Sequence, residues 1–146
     1  MTSPSEPGPA GRAAPKPEQE PEQEPQPRVL CDARALADAP PVPGGVLWKL
    51  NESGRQLDAN VVRLAPGTGV APHRERDLDV LLFVVAGSGV LGAGTGDEPR
   101  RLTEGATVWL PHGSTRSLTA GTDGLAYLTV HRCRPGMRIR PHGEAS

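Results

Sequence analysis

From Val29 onward the sequence breaks into short apolar or alternating runs, each closed by a cluster of Gly, Pro, Asp or Asn. Residues alternating with a period of two fall on opposite faces of a strand, and turn residues at such regular intervals leave no room for a long amphipathic helix. The expected strands are 45–50, 57–64, 69–73, 79–85, 90–93, 106–110, 116–119 and 125–132. Turn chemistry separates them at 51–54, 66–67, 87–89, 94–97, 111–113 and 121–124. Many short strands of this kind specify an all-β sandwich or barrel, in which few sheet edges are left open.

Two strands carry more information than the others. In the run VLLFVV, residues 80–85, both alternating faces are apolar, so one face is expected inside the barrel and the other against a second sheet or a subunit. In residues 125–132, Ala126, Leu128 and Val130 share one face while Tyr127, Thr129 and His131 share the other, which is a candidate pocket wall.

Residues 1–28 differ in texture, being rich in Pro, Glu and Gln, with alanines and prolines as the only apolar side chains besides Met1. Such a segment buries too little surface to offset the entropy of ordering, and a disordered tail with polyproline II character is expected. The organisation read from sequence is therefore a tail over 1–28, one domain over 29–134 and a short C-terminal tail over 135–146.

The 16 basic and 17 acidic side chains nearly cancel, which gives no electrostatic ground for a nucleic-acid partner. The aromatic set, Trp48, Phe83, Trp109 and Tyr127, is also too small for a base-stacking platform. No apolar run has the length of a membrane span or the character of a signal peptide, so the expected compartment is the cytoplasm, with no membrane association. Cys31 and Cys133 fit no metal-binding spacing and are expected as free thiols.

Two segments carry a family pattern. They are GTGVAPHRERDLDVLLFVVAG over 67–87 and GATVWLPHGSTRSLTA over 105–120. They resemble the two cupin motifs: a glycine, a His-x-His pair, a glutamate and a closing glycine in the first, and a glycine, Pro-x-Gly, a histidine and an asparagine in the second. Gly67, His73 and Gly87 keep the outer frame of the first motif, while Gly105, Pro111 and Gly113 keep that of the second. The runs LDANVVRL, DLDVLLFVVAGSG, TVWLPHGS and DGLAYLTVHR are most similar to a group of small actinobacterial-type cupins, to which no activity attaches. The resemblance implies a single-domain, cupin-type jelly-roll β-barrel, and it implies pairing into a homodimer.

In that family the His-x-His pair, the glutamate and the third histidine bind a metal inside the barrel. Here Glu75 stands at the second histidine, Val80 or Asp79 at the glutamate, Arg116 at the third histidine and Ala120 at the asparagine. An arginine has no lone pair to offer and repels a divalent cation, so no metal cofactor is expected. A site of His73, Glu75 and Asp79 for a divalent metal remains as the alternative.

Arg116 is expected to point into the barrel beside His73 and to pair with a carboxylate, Glu75 first and Asp79 second, because a buried unpaired guanidinium is costly. The candidate interior site is His73, Glu75, Asp79, Arg116 and Tyr127, suited to a small polar or anionic ligand through the planar guanidinium. Three functions compete: a metal-free binding barrel, a metal-dependent enzyme of the dioxygenase or isomerase type, and a non-catalytic scaffold or regulatory protein. The lost ligands favour the first and weigh against catalysis.

Overall fold

The computed structural model describes residues 24–40, 42–94 and 98–134. Most of the expected N-terminal tail and all of the C-terminal one lie outside the described residues. The chain divides into Met1–Leu30 and Cys31–Ser146, and among the described residues the helix and strands lie in the second unit. Its elements are α1 (Ala33–Ala37), β1 (Val46–Lys49), β2 (Leu57–Leu64), β3 (Gly69–Arg74), β4 (Val80–Gly92), β5 (Arg100–Thr103), β6 (Thr107–Leu110) and β7 (Thr115–Arg132) among the described residues.

All pairings are antiparallel, and β4 and β7 form the spine. The free edge of β7 takes β3 along its first half and β2 along its second, while the free edge of β4 takes β6 and then β5. One layer is therefore β1-β2-β7-β4-β6 and the other β3-β7-β4-β5, with the two long strands passing from one to the other. This is the jelly-roll arrangement expected from the sequence.

Turn chemistry predicts each long strand in two pieces, and the structure joins them. Gly87-Ser88-Gly89 and the 121–124 segment are bends within continuous strands, and the β4–β7 register shifts between Val84 and Ala86 and again between Gly87 and Gly89. Glycine is required at this crossing for two reasons. Gly87 has φ of 82°, and a Cβ there would collide with the carbonyl oxygen of Gly124. At Gly89 a Cβ would lie 2.5 Å from the carbonyl oxygen of Thr119. The residues that mark turns in a short hairpin here let two strands bend over each other.

Strand β5 is absent from the expected set, because Leu102 is its one apolar residue; that side chain is buried while Arg100, Arg101 and Thr103 are exposed. Helix α1 is a single short turn whose Asp32 cap accepts a hydrogen bond from the Ala35 amide at 3.0 Å. It lies against β4.

The core follows the alternation of β4. Val80, Leu82 and Val84 point inward and are buried, whereas Leu81 and Phe83 point outward. The inward row meets Leu102, Leu110, Leu118, Leu125 and Tyr127 from three other strands in one cluster. Full burial of a side chain such as Leu82 contributes about 1.5–3 kcal/mol, and the shared cluster locks the two layers together. Cys31 and Cys133 are free thiols, as expected.

Candidate functional site

The inward faces leave a cavity of about 260 Å³ at one end of the barrel. Its deep wall is apolar, formed by Leu78, Val80, Leu82, Leu110 and Leu118, and its polar groups are His73, Glu75, Arg116, Tyr127, Thr129, His131 and Arg134. Tyr127, Thr129 and His131 reach it because they share one face of β7, the alternation read from sequence. Their strand neighbours Leu128 and Val130 pair on the opposite face with Phe83 and Leu81.

Arg116 occupies the position anticipated from the second motif. It lies directly across from His73 in the β3–β7 pairing, lines the cavity and is only 6% exposed. The expected pairing with Glu75 is not made. Arg116 Nη1 donates to the Ser114 hydroxyl at 3.0 Å, to the Ser114 carbonyl at 3.2 Å and to the Pro111 carbonyl at 3.4 Å. Among the described residues Nε and Nη2 donate to no protein group. Burial pushes the guanidinium below its ordinary pKa, and the charge of Glu75 opposes that shift.

Glu75 is engaged elsewhere. Arg134 grips both carboxylate oxygens, Nη1 to Oε2 at 3.2 Å and Nη2 to Oε1 at 3.0 Å. The Asp77 amide also donates to Oε2. Hydrogen bonding from Arg134, then from the Asp77 amide, holds the Glu75 carboxyl down to about 2. No sequence signal points to Arg134, which follows the last strand in a segment without periodicity.

Asp79 corrects the sequence reading. Its carboxylate is directed away from the cavity and accepts hydrogen bonds from the His112 ring Nδ1 at 2.8 Å and the His112 amide at 2.9 Å. Those bonds lower its pKa. The strand geometry explains the outcome: Asp79 precedes inward-facing Val80, so it shares the outward side with Leu81. The alternative metal site of His73, Glu75 and Asp79 is therefore not assembled, and among the described residues no three His, Cys, Asp or Glu side chains converge.

Tyr127 is 6% exposed in the cavity wall, and burial raises the pKa of its phenol. Its hydroxyl has no hydrogen-bond partner among the described residues, whereas the neighbouring Thr129 hydroxyl donates to Asn60 Oδ1 at 2.6 Å. His73 Nδ1 lies 3.2 Å from the Ala71 carbonyl and His131 Nδ1 lies 2.7 Å from that of Arg132.

Solved structures share this architecture. The TT1209 protein of Thermus thermophilus superposes with a TM-score of 0.58 at 20% identity, covering 73% of this chain and 98% of that one. A conserved protein with a double-stranded β-helix domain from Klebsiella pneumoniae gives a TM-score of 0.56 at 17% identity, covering 70% of this chain and 88% of that one. The cupin domain of Schizosaccharomyces pombe Cnp3 gives 0.52 at 14% identity, with 58% of each chain covered. The fold is that of the cupins.

The cupin barrel thus confirms the architecture implied by Gly67, Gly87, Gly105, Pro111 and Gly113. The identities establish the fold alone. No protein-family profile matches the chain, and no curated protein matches it. Inside this barrel an arginine, Arg116, lies across from His73 and lines the cavity.

Proposed function

We propose that this cupin is a metal-free binding protein that holds a small anionic molecule in its barrel, with Arg116 as the anchor. The observation carrying the reading is a buried guanidinium that lines a cavity and has no carboxylate hydrogen-bonded to it among the described residues. Leaving such a charge uncompensated is costly, and an anion in the cavity removes that cost through two parallel hydrogen bonds to Nε and Nη2. Arg134 neutralises Glu75, so the one carboxylate nearby does not compete for that edge.

Thermal melting of the full chain against a series of small carboxylates and inorganic phosphate tests this. A bound anion at one hundred times its Kd adds about 2.7 kcal/mol, so a saturable rise in Tm is expected with at least one anion and is lost in Arg116→Met. Equal rises in both proteins would refute the anchor.

We further propose that the chain pairs with a second copy through the outer face of the β1-β2-β7-β4-β6 layer. On that face Leu81 is 46%, Phe83 40% and Trp109 61% exposed, and Leu81 lies directly across from Trp109. The register continues the apolar row through Val130 beside Leu81 and Leu128 beside Phe83. A contiguous apolar patch of this kind is a reason for a partner surface, and a copy of the same chain offers the matching patch in an isologous dimer.

A further inference from the structure

Resting on the reading of Arg116 as an anion anchor, we infer that the ligand is a small monocarboxylate with a compact apolar frame and one further oxygen, which meets the Tyr127 hydroxyl. Charge, wall chemistry and an unmatched donor lead to that class independently.

The charge of the wall fixes the number of charges on the ligand. Arg116 and Arg134 are the permanently cationic residues lining the cavity, beside the imidazoles of His73 and His131, and Glu75 is the anionic one. Arg134 and Glu75 cancel as a bidentate pair, which leaves the single charge of Arg116. A monoanion balances it, whereas a phosphate dianion brings a second charge for which the wall holds no further permanent cation. The planar edge formed by Nε and Nη2 fits the two oxygens of a carboxylate.

The wall chemistry fixes the frame. Leu78, Leu82 and Leu110 close the deep side of the cavity, so the group attached to the carboxylate leaves water for hydrocarbon. The cavity of about 260 Å³ holds roughly the volume of nine liquid waters, the scale of a single substituted ring or a branched short acid. A strongly hydrated inorganic ion gains nothing from those leucines.

The unmatched donor fixes the remaining atom. Tyr127 lies on the inward face of β7, and its hydroxyl is unpaired among the described residues while the Thr129 hydroxyl is already committed to Asn60. Because burial favours its protonated form, the phenol presents a donor to the cavity. A buried donor without a partner costs free energy, and a hydroxyl or carbonyl oxygen on the ligand supplies the partner.

Calorimetric titration of the full chain with 4-hydroxybenzoate, benzoate, 4-hydroxybenzamide and inorganic phosphate at fixed ionic strength tests the class. We expect 4-hydroxybenzoate to bind most tightly, with Tyr127→Phe weakening it by about tenfold and leaving benzoate unchanged, the scale of one buried hydrogen bond. Arg116→Met is expected to abolish binding of both acids, and Arg116→Lys to weaken them while keeping the charge. Circular dichroism of each variant establishes that it is folded. Phosphate or the neutral amide binding as tightly as the acid, or Tyr127→Phe acting equally on benzoate, overturns the ligand class and leaves the anion anchor standing if Arg116→Met still abolishes binding. Binding of the acids that survives Arg116→Met, or no binding of any of the four probes to the wild-type chain, overturns the anchor itself.

Discussion

At the level of single residues, Arg116 is held by carbonyl and hydroxyl oxygens and no carboxylate hydrogen-bonds to it among the described residues, Glu75 acting on it only through its charge. A charge pair with Glu75 would make Arg116 structural, and its loss would cost about 3 kcal/mol or more. With only neutral partners, Arg116→Met is expected to leave stability unchanged or raise it by about 1 kcal/mol, which urea denaturation reads directly. The place of Arg116 was legible in the sequence, because the turns at Gly105, Pro111 and Gly113 have fixed length and deliver residue 116 to a fixed partner, His73. Its counterion was not. Which carboxylate a guanidinium meets depends on side chains arriving from distant segments, and Arg134 takes Glu75. Asp79 differs again: the motif spacing allows either 79 or 80 at the glutamate position, and the strand's two-residue period turns 79 outward.

Glu75 gives a prediction with a sign. Its folded pKa of about 2 lies below the ordinary 4.5, so the stability it contributes is complete above pH 4.5 and disappears as pH falls through about 2. The pair with Arg134 is partly exposed, and screening by solvent holds the effect to about 1 kcal/mol or less. Wild-type chain should therefore lose more stability than Glu75→Gln between pH 4.5 and 2, measured by denaturation at each pH. Identical acid profiles would contradict the assigned pair.

At the level of elements, β2, β3 and β6 were legible because apolar alternation and turn residues agree there. Strand β5 was not, since a strand at a sheet edge needs only one inward apolar residue and Leu102 alone carries no period. The bends in β4 and β7 are visible in the sequence as glycines but not as bends, because the same residue serves a turn and a close backbone crossing. Gly87→Ala distinguishes the two roles. A positive φ and a Cβ against the Gly124 carbonyl should cost about 1–3 kcal/mol or more, whereas in a free surface loop the change would be close to neutral. Chemical denaturation decides between them.

At the level of the whole molecule, the same β4 strand faces two ways: Leu82 and Val84 build the barrel, and Leu81 and Phe83 join Trp109 on an open apolar face. Trp109→Glu should leave the fold intact and shift light scattering from a dimer to a monomer mass, while a wild-type monomer at micromolar concentration would remove the proposed interface. Among the described residues no helix is long and apolar enough to cross a membrane. The proposed replacement of a metal site by an anion site at Arg116 is the property on which all of the binding chemistry depends. Native mass spectrometry of freshly purified full chain, with 4-hydroxybenzoate and divalent ions both offered, reads it at once. One carboxylate per chain, absent from Arg116→Met, and no stoichiometric metal are expected; a divalent ion held one per chain by the wild type, or a carboxylate retained by Arg116→Met, would contradict the replacement.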